Sequence, residues 1–301
     1  MVVENVNTAC SKAYRLFSKQ NILSDFEAVL KQSNLVTRLS LVNIDFSTFC
    51  GFETLALAVQ TNSGRATPVW ANCLTYPLTE VGSQNKFVLE EIEKFGEVLG
   101  FFPGFVFDRG FWIPELMKFM LERKISFYLR IKQGTHLEWR SGKKMKALNI
   151  GKHTKDATIT LFEHQMRLVI SPLPNQKKTK QATKETKETK SKTKPERWYI
   201  LTNDFASGRE KVLDIYAHRF EIEETFKDLK HICDLKKLFI KHKLTFKILL
   251  MFVSLSFWLA FWCHLTNQLN NIQVNLHKKR SYFRVFWEQL QREVRLKIFS
   301  G

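Results

Sequence analysis

The fold class predicted by this 301-residue sequence is α/β, a mixed sheet flanked by helices on both faces. Three observations predict it. Short apolar runs with the composition of buried strands recur along the chain, stretches with helical apolar spacing follow them, and the connections between the two are short. Hydrophobic residues make up 44% of the chain, enough to bury a core of that size.

Residues 1–36 read as short amphipathic helices, with Ser24 as the N-cap of DFEAVLKQ. RLSLVNID, residues 38–45, is a strand that ends on an acid. ETLALAVQ and ATPVWANCL form a hairpin, because TNSGR between them has the Asn, Ser and Gly of a tight turn. Phe87, Val88, Ile92, Phe95, Val98 and Leu99 recur at helical spacing. FFPGFVFD, residues 101–108, is a second strand that ends on an acid; a helix through IPELMKFMLERK and a strand ISFYLRIK follow. A β-rich insertion spans about 133–197. It closes on KKTKQATKETKETKSKTKPER, residues 177–197, with eight Lys, one Arg and three Glu. That run has too little apolar surface to offset chain entropy, so it is expected to be disordered; a basic arm that tracks DNA is the second reading. WYILTN, residues 198–203, resumes as a strand, and one long helix starts near Ser207. Helices at 243–268 and about 281–298 complete a helical C-terminal region, the last of them basic.

Lys plus Arg outnumber Asp plus Glu by 47 to 29, a net charge of +18. Such an excess favours a polyanionic partner, nucleic acid first and an anionic membrane second, with a merely solvated basic surface as the plain alternative. Cys10, Cys50, Cys73, Cys233 and Cys263 are far apart, with no C-x-x-C, which argues against a disulfide framework and a zinc site and fits reduced thiols in a cytoplasm. The N-terminal MVVENVNTACSKAYRLF lacks the apolar core of a signal peptide. ILLMFVSLSFWLAFWC, residues 248–263, carries no charge. It is shorter than the roughly 20 residues of a spanning helix and contains Ser254 and Ser256, so the central helix of a soluble protein is the favoured reading, with Phe252, Leu255, Leu259 and Trp262 in the core.

Chemistry is concentrated in YAHRFEIEETFKDLK, residues 216–230. Wound as one helix at about 100° per residue, it places Tyr216, Arg219, Glu223 and Lys230 within about 60° of one another, beside the apolar flank of Ile215, Ile222, Phe226 and Leu229. Glu221, Glu224 and Asp228 point elsewhere. Asp45 and Asp108 each end a strand, at the carboxyl edge where open α/β folds place their chemistry, although each alone could simply start a turn. Convergence of Asp45, Asp108 and Glu223 would demand bound cations, because three unassisted carboxylates repel. Oxygen ligands without His or Cys suit Mg²⁺ or Mn²⁺, and two such ions about 3.5–4 Å apart can serve both the attacking and the leaving oxygen of a phosphodiester.

These residues carry a resemblance. Tyr216, Arg219, Glu223 and Lys230 reproduce the Y-x2-R-x3-E-x6-K signature of bacterial insertion-sequence transposases of the insertion-sequence-four group, which have an RNase H-like catalytic domain and an Asp-Asp-Glu site. FVFDRGF around Asp108 resembles the second-acid motif of that family and LVNIDFST around Asp45 the first. The resemblance covers about residues 38–268, with 1–37 as a short N-terminal region and 269–301 as a C-terminal basic helix. It implies a metal-dependent enzyme that cuts double-stranded DNA at transposon ends and joins them to a target, as a homodimer in the synaptic complex, in a bacterial cytoplasm and away from membranes. Asp45, Asp108 and Glu223 would bind the metals, with Mg²⁺ or Mn²⁺ as a pair of ions. Tyr216, Arg219 and Lys230 would hold DNA phosphate. Arg130 and Lys132 match a family strand whose basic residues reach the DNA end, and Trp198 resembles a tryptophan that stacks on a displaced base, a core tryptophan being the alternative. Only 44 residues precede Asp45, fewer than the usual end-recognition region, so a shortened N-terminus is expected. The Lys-rich run also departs from the family norm. A non-catalytic DNA-binding relic and a membrane protein anchored by 248–263 stay open as alternatives.

Overall fold

The computed structural model describes residues 22–74, 83–139, 142–172, 196–266 and 281–299. The helices expected before Ile22 and the Lys-rich run up to Pro195 lie outside these residues.

One ten-stranded sheet organises the chain, in the order β3-β2-β1-β4-β5-β10-β9-β8-β6-β7. Its first part is a meander of β1 (Leu41–Phe49), β2 (Phe52–Val59) and β3 (Thr67–Leu74), all antiparallel. The β1–β2 turn is tight, with Cys50 and Gly51 at φ of 51° and 82°, the positive pair that matches the twist of a two-residue hairpin. β4 (Gly104–Phe107) then runs parallel to β1, and β5 (Phe127–Arg130) parallel to β4. Helices α2 (Gln84–Leu99) and α3 (Pro114–Glu122) follow β3 and β4, preceded by α1 (Ile22–Gln32). α2 starts on Ser83, whose side chain accepts from the Lys86 N–H, and stops on Gly100 at φ 74°. A mixed sheet of this strand order and direction, flanked by helices, is the RNase H-like arrangement.

The insertion continues the same sheet. β6 (His136–Trp139), β7 (Lys143–Lys146), β8 (Asp156–Leu161) and β9 (His164–Ile170) extend it, and β10 (Tyr199–Thr202) joins them to β5. A short helix α4 (Ala147–His153), not expected from the sequence, lies within it.

Alternation along the strands feeds two cores. Val42, Ile44, Phe105, Phe107, Phe127 and Leu129 face α2 and α3, packing on Phe87, Ile92, Phe95, Leu116 and Met120. The opposite face presents Val106, Tyr128 and Ile200 to Val212, Ile215 and Tyr216 of α5 (Arg209–Ala217), and Phe49, Ala56 and Ala58 to Ile222, Phe226 and Leu229 of α6 (Phe220–His231). α7 (Lys243–Leu265) and α8 (Tyr282–Phe299) close this side.

Four expectations need correction. α1 begins at Ile22, so Ser24 lies inside the helix and is not its N-cap. β1 does not end at Asp45 but runs to Phe49, because the hairpin with β2 pairs it through Phe49–Phe52 while β4 pairs it only as far as Ile44. The single helix expected from Ser207 is broken at His218–Arg219 into α5 and α6. In α7 the core positions are Phe246, Leu250, Ser254, Phe257 and Ala260, whereas Phe252, Leu259 and Trp262 are exposed and Leu255 only half-buried. A helix apolar on all sides gives no moment from which its buried face can be read. By length and composition alone α7 could cross a membrane; in the fold it lies along β3 and packs on α8.

Candidate active site

Register brings the first two acids together. Ile44 of β1 lies opposite Phe107 of β4, so Asp45 and Asp108 each stand one step beyond that last parallel pair. Asp108 keeps extended backbone, φ −80° and ψ 169°. Adjacent strands lie about 4.8 Å apart, and equivalent positions point to the same face. That face is the one covered by α5 and α6. A cavity of about 210 Å³ lined by both acids opens toward the start of α2, with Phe46, Gln84, Val88, Phe111 and Ile113 around it. A larger cavity of about 700 Å³ lies at the opposite edge of the parallel strands, around Ser40, Gly104 and Ser126, and contains none of the acids.

The third acid arrives through the break between α5 and α6. In an uninterrupted helix the Ile215 carbonyl would accept from the Arg219 N–H. Here Gln60 Nε2 donates to Ile215 O at 3.0 Å, Arg219 N turns to Tyr216 O, and Asn43 Nδ2 donates to His218 O at 3.0 Å. Gln60 Nε2 also donates to Asn43 Oδ1 at 2.7 Å. Two side-chain amides from β1 and the end of β2 thus take carbonyls that a continuous helix needs, and the chain steps through i to i−3 bonds instead.

The result is a compact set of charges. Arg219, with only 4% of its side chain exposed, donates from Nη2 to Glu223 Oε1 at 2.6 Å and lies with Nη1 3.6 Å from Asp45 Oδ2. Its buried Nε has no partner. Tyr216, fully buried, donates its hydroxyl to Asp108 Oδ1 at 3.1 Å. Burial above all pushes the Asp45 carboxyl up to about 6, and the charges of Glu223 and Asp108 add to that, against the Phe46 N–H and Arg219. Burial likewise raises the Tyr216 phenol, keeping it a proton donor.

Asp45, Asp108, Glu223, Tyr216 and Arg219 therefore form one group. Trp198 adjoins it, with its ring centroid 5.2 Å from Tyr216 and 6.0 Å from Phe220. Arg130, at the end of β5, pairs with Glu196 at 2.8 Å. Lys132 is exposed. Lys230 stands apart from the acids, its ammonium 5.2 Å from the Phe49 ring centre, two helical turns along α6.

Among the described residues no three His, Cys, Asp or Glu groups stand close enough to enclose a metal ion as they are. Arg219 occupies the space between Asp45 and Glu223 as their counter-ion. The donor set nevertheless fits a hard divalent cation: carboxylate oxygens only, with the ionised form of Asp45 penalised by burial first and by two anionic neighbours in addition.

Sequence reasoning missed Asn43 and Gln60, and it placed Glu221 away from the cleft without seeing what it binds. Glu221, on the far side of α6, is buried and accepts from Thr61 N at 2.9 Å and Gly64 N at 3.2 Å, fixing the β2–β3 turn to the helix. Only a polar residue within a buried strand, Asn43, could have pointed to this network.

Residues 87–259 match the model of a family described as a transposase DDE domain, more than half of the chain. Asp108 and Glu223 fall inside that span and Asp45 precedes it. Among solved structures, a cryo-EM piggyBac transposase synaptic complex with hairpin DNA is similar at 10% identity and a TM-score of 0.44, over 88% of this chain and 54% of that one. The chain thus spans about half the length of that protein. No curated protein sequence matches.

Proposed function

The chain belongs to the DDE-domain transposase family, and from that premise we propose that it cuts transposon ends in double-stranded DNA and transfers them to a target. What supports this reading most is that Asp45 and Asp108 stand one step past the same parallel strand pair while Arg219 bridges Asp45 to Glu223. Asp45, Asp108 and Glu223 would hold Mg²⁺ or Mn²⁺, two ions in the full site. Divalent cations in such a site supply Lewis-acid stabilisation of the attacking and leaving oxygens of a phosphodiester.

The chain's own residues do the rest. Tyr216 orients Asp108 through its hydroxyl and, with a raised pKa, holds that proton at the oxygen. Arg219 neutralises Asp45 and Glu223 and keeps one buried N–H unused, which suits a guanidinium that exchanges a carboxylate for a DNA phosphate. Trp198 and the exposed Phe220 border the group as aromatic surfaces for a base. The net charge of +18 holds the polyanion. We assign the chain to the insertion-sequence-four-like bacterial group on its Y-x2-R-x3-E-x6-K spacing, working as a homodimer when two ends are paired.

The test is nicking of plasmid DNA by the full chain with Mg²⁺ or Mn²⁺. The wild type should nick, and Asp108→Asn should bind DNA equally well but not nick. Equal nicking by both would remove Asp108 from the chemistry.

A further inference from the structure

Glu196 makes an unusual contact beside the acid group. A single oxygen, Oε2, accepts from Arg130 Nη2 at 2.8 Å and from Arg109 Nη1 at 3.4 Å. Arg109 directly follows Asp108, and Arg130 lies close enough to Tyr216 for its charge to act on the phenol. Arg130 is largely enclosed, at 14% exposure, while Glu196 is 35% exposed and sits in the three-residue lead-in to β10. Two guanidinium groups on one anionic oxygen are the arrangement that also receives a non-bridging phosphate oxygen. The acid is the last of three in a segment otherwise rich in Lys. It is thus a local exception in charge, placed where a polyanion would be received.

We propose that Glu196 stands in for a DNA backbone phosphate in a subsite between Arg130, which the family resemblance already directs to the DNA end, and Arg109, and that DNA displaces it. The proposal rests on the transposase reading and adds to it Arg109 as a further basic contact and Glu196 as the group that occupies it without DNA. The plain alternative is a surface ion-pair cluster that merely fixes the start of β10. Such a cluster would have no effect on DNA binding beyond one unit of net charge.

The test measures binding of a fluorescent DNA duplex to the full chain in EDTA, so that cleavage plays no part. Glu196→Gln keeps the shape of the side chain and removes its charge. It should tighten binding roughly fivefold, the upper range for an exposed ion pair. It should also steepen the log–log salt dependence by about one unit, for one more phosphate neutralised. With Arg109 and Arg130 both changed to Ala, the same substitution should alter affinity by at most about twofold. Glu210→Gln, which removes an equal charge from the exposed pair with Arg209, measures the effect of net charge alone. Equal gains from Glu196→Gln and Glu210→Gln, or a gain that persists without the two arginines, would overturn the subsite while the transposase reading stands. A wild-type chain that binds no duplex would overturn both. Should Glu196→Gln fail to fold, protection of the wild type from thermal unfolding by inorganic sulfate, compared with the Arg109→Ala/Arg130→Ala chain, decides the matter in the same sense: protection lost with the arginines supports the subsite, and equal protection overturns it.

Discussion

The two sides of α6 hold their acids in opposite ways. On the cleft side Glu223 is 42% exposed and pairs with the Arg219 guanidinium, a cation that a metal ion or a phosphate could release. On the far side Glu221 is bonded to the backbone N–H groups of Thr61 and Gly64, Thr225 to the Ala66 carbonyl, and Asp228 to Arg65 and to Ser281 at 2.6 Å. These partners are parts of the fold and cannot leave without opening it. The difference teaches that the partner decides what an acid on a helix is for. A carboxylate paired with a side-chain cation can exchange it for another cation; a carboxylate on backbone donors is an anchor.

The comparison can be broken at several points. The largest effect is expected at Glu223: Glu223→Gln should lower metal-dependent cleavage by about 10⁴-fold or more, with DNA binding in EDTA and the melting curve preserved. Next is Glu221, which should do the reverse. Glu221→Ala leaves the partly buried Thr61 and Gly64 N–H groups without their carboxylate and should cost about 1–3 kcal/mol in denaturant unfolding, while the fraction that stays folded cleaves at a near-normal rate. Arg219→Ala should slow cleavage on the order of 10²-fold. Because Arg219 is buried between two acids, its loss should also lower the melting temperature, and divalent cations should restore it.

A smaller effect concerns pH. Asp45 has a folded-state pKa of about 6 against an ordinary 3.8, so its ionised form is disfavoured in the native state. The penalty grows as pH rises from about 4 to 6 and is complete above that. Asp45→Asn should therefore stabilise the protein at pH 7 and not at pH 3, by about 1–2 kcal/mol after allowance for the 24% exposure of the side chain. A gain of equal size at both pH values would assign it to packing. Smallest of all is Lys227→Ala, an exposed residue paired with Glu224, expected to change stability by at most about 0.5 kcal/mol and cleavage not at all.

What the sequence could reveal follows from the same contrast. The strands around Asp108 and the helix α2 are written in local apolar periodicity, and so is the angle that separates Glu223 from Glu221 on α6. The break at His218–Arg219 is not, because the side chains that impose it, Asn43 and Gln60, lie 175 and 155 residues away in the chain. The extension of β1 past Asp45 depends on a hairpin partner, and the register that aligns Asp45 with Asp108 depends on a second one. Lys230 shows the limit of the helical wheel: it shares an angle with Glu223 but, seven residues on, faces Phe49 and not the acids. An angle on a cylinder carries no information about distance along it.

The central claim, that Asp45, Asp108 and Glu223 form one cation-binding site, is tested most directly by titrating Mn²⁺ against the thermal midpoint of the full chain. The wild type should rise with Mn²⁺, since a ligand bound to the native state alone stabilises it. Asp45→Asn, Asp108→Asn and Glu223→Gln should each flatten that rise, whereas Lys227→Ala should leave it intact. An undiminished Mn²⁺ response in all three carboxylate variants would contradict the claim and place the cation elsewhere.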